Sequence, residues 1–150
     1  MIDSYDEAGK PLPDIDRITK VGVFLRKTSL DELPQLLNVI KGDMSFIGPR
    51  PLLTRYLPYY TEREMTRHNV RPGITGLAQV NGRNFLNWKE RLELDAEYVE
   101  KLSFTLDLTI LVQTIIKVVR GSDIKVVPNG KPFDVYRRSE QDNMLEFQQK

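Results

Sequence analysis

The residues whose types and spacing could do chemistry lie between Ser29 and Arg83. An acidic pair, Asp31 and Glu32, stands where a helix is predicted to begin, and Arg50 lies between two prolines. Further on, a glycine-spaced segment has an arginine at each end. The start of a helix favours carboxylates or phosphates, and guanidinium groups bind phosphate oxygens. Together these groups indicate a ligand that carries phosphate.

The acidic pair also has an ordinary structural explanation. Ser29 and Glu32 have the spacing of a capping box, and Asp31 could simply complement the dipole of the helix that follows. Spacing alone leaves both the structural and the functional interpretation open.

Two arginines near this pair are candidates for an anion site. Arg50 lies in the stiff sequence Gly48-Pro49-Arg50-Pro51, from which a guanidinium fork could grip phosphate oxygens in two places. Arg26 comes five residues before Asp31 and could reach the same helix start. The alternatives are a loop arginine bonded to nearby carbonyls and a solvated helix residue.

The segment from Arg71 to Arg83 contains Gly73, Gly76 and Gly82. Glycines permit tight turns and a close approach of the backbone to a ligand. The segment lacks the strand-then-helix context of a dinucleotide fingerprint, and nothing in the sequence matches a P-loop. By itself, the glycine spacing is a weak indication of a nucleotide site.

The sequence contains three short motifs in this order: LDELPQL, GDMSFIGPRP and RPGITGLAQVNGR. They resemble the bacterial sugar transferase family, the monotopic polyprenyl-phosphate phosphoglycosyl transferases that start glycan assembly on the inner face of the bacterial plasma membrane. The resemblance covers roughly Asp3 to Ser122 and is far more specific than any one short motif. Family members begin with an apolar membrane-embedded helix and a short linking segment. These are missing here, so we expect Met1 to align with an internal methionine of the family.

The resemblance implies transfer of a phosphosugar from a UDP-sugar to undecaprenyl or another polyprenyl phosphate, with release of UMP. Asp31 matches the attacking aspartate of the family, which forms a covalent aspartyl-phosphosugar intermediate and so splits one difficult step into two. Glu32 would manage a proton or help to hold metal. The expected cofactor is Mg²⁺, with Asp31 as its protein ligand and with phosphate oxygens and waters completing the shell. The product would initiate an exopolysaccharide, O-antigen, capsule or glycoprotein glycan.

In the family, the matching segments form the active-site face. The expected partners are a UDP-sugar donor, a polyprenyl phosphate acceptor and the inner-membrane surface. The implied location is the cytoplasmic face of the bacterial plasma membrane, where the protein would be peripheral or monotopic. The predicted substrate-binding residues are Arg26, Arg50, Arg71, Gln79, Asn81 and Arg83.

Composition disfavours several other kinds of protein. The 22 Lys and Arg residues are balanced by 21 Asp and Glu, so the broad basic field of a non-specific nucleic-acid binder is absent and no nucleic-acid partner is expected. The 150 residues include no cysteine and one histidine, which excludes thiolate metal sites and disfavours zinc. The longest apolar run, 104–119, is shorter than the roughly 20 residues that span a bilayer. We therefore expect that the chain does not cross a membrane unaided.

Hydrophobic periodicity predicts a mainly α fold with short β hairpin elements, in a single compact domain. The resemblance implies that this is the catalytic domain of a monotopic phosphoglycosyl transferase. Residues 1–14 are predicted to be a flexible polar leader, 15–122 the catalytic domain, and 123–150 a C-terminal extension with no assigned chemistry. Helices are predicted over 15–27, from Ser29 to a stop at Gly42, over 57–69, 88–101 and 106–119, with an irregular loop at 44–53 and a brief strand or hairpin within 70–84.

Two other functions fit the same residues. One is a non-catalytic truncated remnant or nucleotide-sugar-binding interaction module, which keeps the fold without processing lipid. The other is a soluble nucleotide-sugar hydrolase, in which water instead of a lipid phosphate resolves the phosphorylated aspartate. UDP-linked N-acetylhexosamines, galactose and glucose are all plausible donors within the family.

Overall fold

The computed structural model describes residues 19–27, 33–82, 86–120 and 132–148, without the side chains of residues 26, 27 and 141–148. The described chain is mainly helical, as predicted. Its elements are α1 (Lys20–Lys27), α2 (Gln35–Lys41), β1 (Ser45–Ile47), a first 3₁₀ helix (Thr54–Tyr59), α3 (Glu62–Met65), a second 3₁₀ helix (Thr66–Asn69), β2 (Gly73–Thr75), α4 (Leu77–Asn81), α5 (Trp88–Glu100), α6 (Phe104–Arg120) and α7 (Phe133–Gln148).

The two strands form a small parallel sheet, with Ser45 opposite Gly73 and Ile47 opposite Thr75. A brief strand within 70–84 is therefore confirmed. The hairpin prediction was wrong, because the two strands are parallel. The first part of the predicted loop at 44–53 forms strand β1. Parallel strands need a long crossover, which here contains α3 and both 3₁₀ helices. Strands of three residues show too little alternation for a sequence pattern to reveal them, and neither partner is near the other in sequence.

Three glycines let the backbone after β1 pack directly against the backbone around β2. A Cβ atom on Gly48 would lie 2.5 Å from the carbonyl oxygen of Arg71, and one on Gly73 or Gly76 would overlap backbone atoms of Gly48. The amide of Gly48 donates to the carbonyl of Thr75 at 2.9 Å. Because backbone atoms cannot rotate aside as a side chain can, the glycines are required for this contact.

Helix α2 begins later than predicted. Leu33 and Pro34 form a turn, the helix starts at Gln35, and it ends at Gly42 in the left-handed conformation, with φ 83°. The predicted stop at Gly42 is confirmed, but α2 does not begin at Ser29 as predicted. A helix running through Pro34 would lose an N–H donor and crowd the preceding turn. The acidic pair therefore precedes α2.

The helix predicted over 57–69 is broken into three pieces. Pro58 lies in the first 3₁₀ helix, and α3 begins afresh after Thr61. The Thr61 side chain accepts a hydrogen bond from the Glu64 amide, and Glu64 accepts one from the Thr61 amide, which completes a capping box. The two later helices are confirmed as α5 and α6, and α5 carries its own capping box between Asn87 and Glu90.

Two clusters of buried side chains form the core. The first core cluster contains Tyr56, Leu92 and Phe133, and the second core cluster contains Val80, Tyr98 and Ile110. Trp88 packs against the first cluster. Phe133 is the first residue of α7, so the predicted C-terminal extension contributes both a helix and a fully buried core residue.

Helix α6 is only partly covered by the rest of the protein. Ile110 is buried on one side, whereas Phe104, Val112, Ile115 and Val119 are exposed. Across the described ranges, we find no helix with both the length and the apolar character needed to span a bilayer.

The close backbone contact generates a stability prediction. Gly73→Ala should lower the free energy of unfolding by about 2–3 kcal/mol or more, because its Cβ atom would overlap the backbone beside β1. Gly42→Ala is the control: nothing lies within 4 Å of its Cβ position, so only the left-handed backbone is penalised, by about 1 kcal/mol. Urea unfolding would measure both, and equal losses would contradict the packing explanation.

Candidate anion-binding site

A buried ion pair organises the candidate site. Arg67 lies in the second 3₁₀ helix and Asp95 in α5, and each side chain is only 3% exposed. Arg67 Nε and Nη2 donate to Asp95 Oδ2 at 3.1 and 2.9 Å. The same Nη2 donates to the backbone carbonyl of Arg50 at 2.6 Å. The ion pair therefore fixes the backbone of the loop that carries Arg50, which we call the Arg50 loop (49–53).

The electrostatics of the pair follow from its burial. Burial raises the pKa of the Asp95 carboxyl, and the positive charges of Arg67 and then Arg91 lower it in part. Burial also lowers the pKa of Arg91, which Asp95 raises and which Arg50 and Arg67 lower further. The guanidinium groups of Arg50 and Arg67 thus lie close enough to Arg91 to lower its pKa. Such a group of arginines favours an anionic ligand.

A cavity of about 300 Å³ lies beside the Arg50 loop. Prolines and leucines from residues 49–57 form most of its wall, together with Val70 and Pro72. The polar side chains that border it include Arg50, Tyr60 and Arg67. Largely apolar walls with a few convergent polar groups are typical of small-molecule sites.

His68 also borders this cavity, and it is exposed. Its ring Nδ1 lies 3.2 Å from the Met65 carbonyl oxygen, and its ring meets that of Tyr60 edge-on at 5.3 Å. Partial burial and then the charge of Arg67 lower the pKa of His68 below its ordinary value near 6.5. The histidine is therefore neutral at pH 7.

The structure brings one of the predicted substrate-binding residues, Arg50, to this cavity and places another, Arg71, between two residues that line it. Both arginines are exposed, and the two lining residues beside Arg71 are Val70 and Pro72. Arg26 belongs to α1, but its side chain lies outside the description. The predicted residues that lie outside the described ranges altogether are Asp31, Glu32 and Arg83.

The two predicted amides, Gln79 and Asn81, are hydrogen-bonded to nearby backbone. Gln79 Nε2 donates to the Ile74 carbonyl at 2.7 Å, and its buried Oε1 has no hydrogen-bond partner among the described residues. Asn81 Nδ2 donates to the Leu77 carbonyl at 2.9 Å. In this arrangement Gln79 joins α4 to β2 and Asn81 bonds within α4. Their contacts with substrate stay a prediction.

Sequence reasoning missed Arg67 and Asp95. Asp95 did carry a signal: it follows Leu92 by three residues and precedes Ala96, both of which are fully buried, so it lies on the apolar face of α5. An acid at such a position calls for a buried partner. Arg67 gave no comparable signal, because it lies in a polar stretch where a solvated arginine is ordinary.

The described residues do not provide a metal cage. Among them, no group of three or more His, Asp or Glu side chains could hold a metal ion. The predicted magnesium ligand, Asp31, lies outside the described ranges.

Comparison with known proteins identifies the family. The family profile described as bacterial sugar transferase matches residues 1–121, which is most of the chain. The chain belongs to the bacterial sugar transferase family, as its three sequence motifs predicted.

Several relatives share much of this sequence. The chain is 56% identical over 125 residues to the uncharacterized sugar transferase EpsL of Bacillus subtilis, a match that covers 83% of this chain and 62% of the relative. It is 48% identical over 104 residues to the undecaprenyl-phosphate galactose phosphotransferase of Salmonella typhimurium, covering 69% of this chain and 22% of the relative. It is 44% identical over 111 residues to the UDP-glucose:undecaprenyl-phosphate glucose-1-phosphate transferase of Xanthomonas campestris pv. campestris, covering 69% and 23%. The chain thus spans less than two thirds of the length of each relative.

The buried pair predicts an unusual sensitivity to a conservative exchange. Arg67→Lys should lower the free energy of unfolding by about 2–4 kcal/mol, because an ammonium group cannot bond Asp95 and the Arg50 carbonyl as the guanidinium fork does. Arg63→Lys is the matched control, since Arg63 pairs with Glu93 and Glu100 in exposed positions. We expect this control to unfold like the wild type in urea. A wild-type stability for Arg67→Lys would show that the ion pair does not hold the site together.

Proposed function

We propose that this chain carries the catalytic part of a phosphoglycosyl transferase, which moves a phosphosugar from a UDP-sugar to undecaprenyl or another polyprenyl phosphate. The observation that carries the proposal is the arginine-bordered, largely apolar cavity beside the Arg50 loop, in a chain of the bacterial sugar transferase family. The names of the Salmonella and Xanthomonas relatives support the same acceptor, and the name of the latter supports a UDP-sugar donor.

The composition of the cavity suits a UDP-sugar. Such a donor has a planar base and a diphosphate, so it needs both apolar walls and positive charge. In the proposal, the guanidinium groups of Arg50 and Arg71 contact the diphosphate, and the prolines and leucines of the wall pack against the nucleoside. Because Arg67 and Asp95 hold the Arg50 backbone, little ordering would be needed on binding.

The proposed chemistry is a double displacement at one phosphorus atom. A carboxylate oxygen of Asp31 attacks the phosphorus that bears the sugar, the bond from this phosphorus to the UMP oxygen breaks, and UMP leaves. An oxygen of the polyprenyl phosphate then attacks the same phosphorus and displaces the Asp31 carboxylate. The product is a sugar linked to the lipid by a diphosphate. Covalent catalysis of this kind replaces one difficult transfer by two easier ones.

Glu32 and magnesium have supporting roles in the proposal. Glu32 would accept or donate a proton beside the reacting centre. When bound, Mg²⁺ would neutralise charge on the diphosphate, and Asp31 would be its protein ligand. The described residues form no protein-only cage, and magnesium commonly takes one or two carboxylates together with phosphate oxygens and waters.

The acceptor lipid implies work at a membrane surface, which we propose to be the cytoplasmic face of the bacterial plasma membrane. The exposed residues Phe104, Val112, Ile115 and Val119 of α6 support this location, because an apolar helix face gains free energy on contact with the acyl boundary of a bilayer. The transferred sugar would then begin a lipid-linked glycan.

The nucleophile can be tested by intact-mass measurement. After incubation with magnesium and a panel of UDP-sugars, the wild-type chain should gain the mass of one phosphosugar. Asp31→Asn should gain none, because an amide is a poor nucleophile and a poor leaving group. Asp43→Asn, which changes an exposed aspartate near the end of α2, is the control and should react like the wild type.

Each outcome of this experiment bears on a different part of the proposal. A mass gain that persists in Asp31→Asn would reject Asp31 as the nucleophile. The absence of any gain with every donor would reject autonomous chemistry and favour a binding module. Continuous release of UMP in water, without lipid, would instead indicate the hydrolase.

The role of Arg50 gives a separate prediction. Arg50→Gln should raise the donor concentration that gives half-maximal adduct formation by roughly tenfold or more, since charge-assisted bonds to phosphate are lost. The contact that holds the loop should survive in this variant, because Arg67 bonds the backbone carbonyl of Arg50 and not its side chain. Arg63→Gln is the control, because Arg63 is another exposed arginine and does not line the cavity, and it should leave the donor dependence unchanged. Equal donor dependence in the two variants would remove Arg50 from the site.

A further inference from the structure

We propose that Phe133 and Arg137 of helix α7 are positioning residues, which hold the cavity wall and the Arg50 loop in the arrangement that binds the donor. Helix α7 lies beyond the residues that the family profile matches. The inference rests on the proposed function, because its main consequence concerns donor binding.

The Phe133 ring is the point at which α7 supports the cavity. It is fully buried and packs nearly parallel to the ring of Tyr60, with centroids 5.3 Å apart and an interplanar angle of 28°. Its other neighbours are Tyr56, met edge-on at 5.4 Å, and Trp88 at 5.2 Å. Because Tyr60 borders the cavity, one ring from α7 backs this part of the wall.

The support continues from Tyr60 to the Arg50 loop. The Tyr60 hydroxyl accepts a hydrogen bond from Arg67 Nη1 at 3.4 Å, and the guanidinium of Arg67 lies 5.8 Å from the centre of the Tyr60 ring. Arg67 Nη2 in turn donates to the Arg50 carbonyl at 2.6 Å. A continuous series of contacts therefore runs from Phe133 through Tyr60 and Arg67 to the backbone of Arg50.

Arg137 attaches α7 to α3. Its guanidinium forms an ion pair with Glu64, donates to Glu140 at 2.9 Å, and lies 5.2 Å from the centre of the Phe133 ring. The second oxygen of Glu64 accepts from the Thr61 amide at 2.8 Å and so caps α3, the helix that leads to Arg67. Helix α7 thereby fixes both the residue that faces the cavity and the start of the helix that follows it.

Contacts to the first 3₁₀ helix extend this arrangement. Arg138 Nη2 donates to the Tyr59 hydroxyl at 2.6 Å, and Asp134 lies 3.9 Å from Arg55. The 3₁₀ helix carries Leu57, which also lines the cavity. By contrast, no buried member of the second core cluster lines the cavity, so that cluster offers controls of similar burial.

The decisive experiment compares Phe133→Leu with Ile110→Val in the full chain. Both exchanges keep an apolar side chain at a fully buried site, but only the first removes the ring that stacks on Tyr60. The measurement is adduct formation against the concentration of a reactive UDP-sugar, with magnesium, at a temperature where circular dichroism shows each variant to be folded. For Phe133→Leu, the half-saturating donor concentration should rise roughly 3- to 10-fold, the range that corresponds to the loss of an aromatic pair. For Ile110→Val it should not change.

Arg137→Lys is the second variant, and it leaves the core volume unchanged. It should also raise the half-saturating donor concentration, by a smaller factor than Phe133→Leu. If Phe133→Leu does not fold, Arg137→Lys alone tests whether α7 affects donor binding. A donor dependence of both α7 variants equal to that of Ile110→Val would overturn the inference, because α7 would then serve stability alone.

Hydrogen exchange separates this inference from the proposed function. Followed by mass spectrometry, amide exchange over residues 50–61 should be faster in Phe133→Leu than in Ile110→Val, with no donor present. If the wild-type chain forms no adduct, the proposed function fails. The exchange rates alone then test whether α7 stabilises the Arg50 loop. Equal exchange over 50–61 in the two variants would overturn that link.

Discussion

The buried contact of Arg67 with Asp95 is the interaction on which the rest of the site depends. Two charged groups at 3% exposure lose their hydration, and this loss is offset only when nearly every donor finds an acceptor. Arg67 meets the requirement by bonding Asp95, the carbonyl of Arg50 and the hydroxyl of Tyr60. A lysine has no planar fork and could not serve three directions at fixed angles. One side chain thus joins α5, the second 3₁₀ helix and the Arg50 loop.

The glycine contact between the strands sets a second constraint, which acts just before the loop begins. The amide of Gly48 is bonded to Thr75 immediately before the loop begins, and Arg67 holds the carbonyl of Arg50 two residues later. The backbone from Gly48 to Arg50 is therefore held by contacts within the protein. In the sequence, the glycines between Arg71 and Arg83 are a weak indication of a close approach of the backbone to a ligand. Here Gly48, Gly73 and Gly76 also serve the packing of backbone against backbone.

The sequence predicted the elements whose signals are local. Helices α5 and α6 are long and periodic, and Gly42 ends α2 where a left-handed residue was expected. The family, too, could be predicted from sequence motifs of 7 to 13 residues. The parallel sheet, the Arg67–Asp95 pair and the docking of α7 could not, because each joins residues far apart in sequence and none leaves a periodic pattern. Phe133 opens a helix of mixed charge, so nothing in its neighbours marks it as a core residue.

The position of Phe133 has a consequence for how the chain is made. The first core cluster takes Tyr56 and Leu92 from the middle of the chain and its third buried member from residue 133. During synthesis, a nascent chain that has emerged only as far as α6 exposes the apolar surface that this ring will later cover. Apolar surface left open in this way is prone to aggregation and attracts chaperones and proteases. The first core cluster is therefore incomplete until residue 133 has been synthesised, although the segment that the family profile matches ends at residue 121.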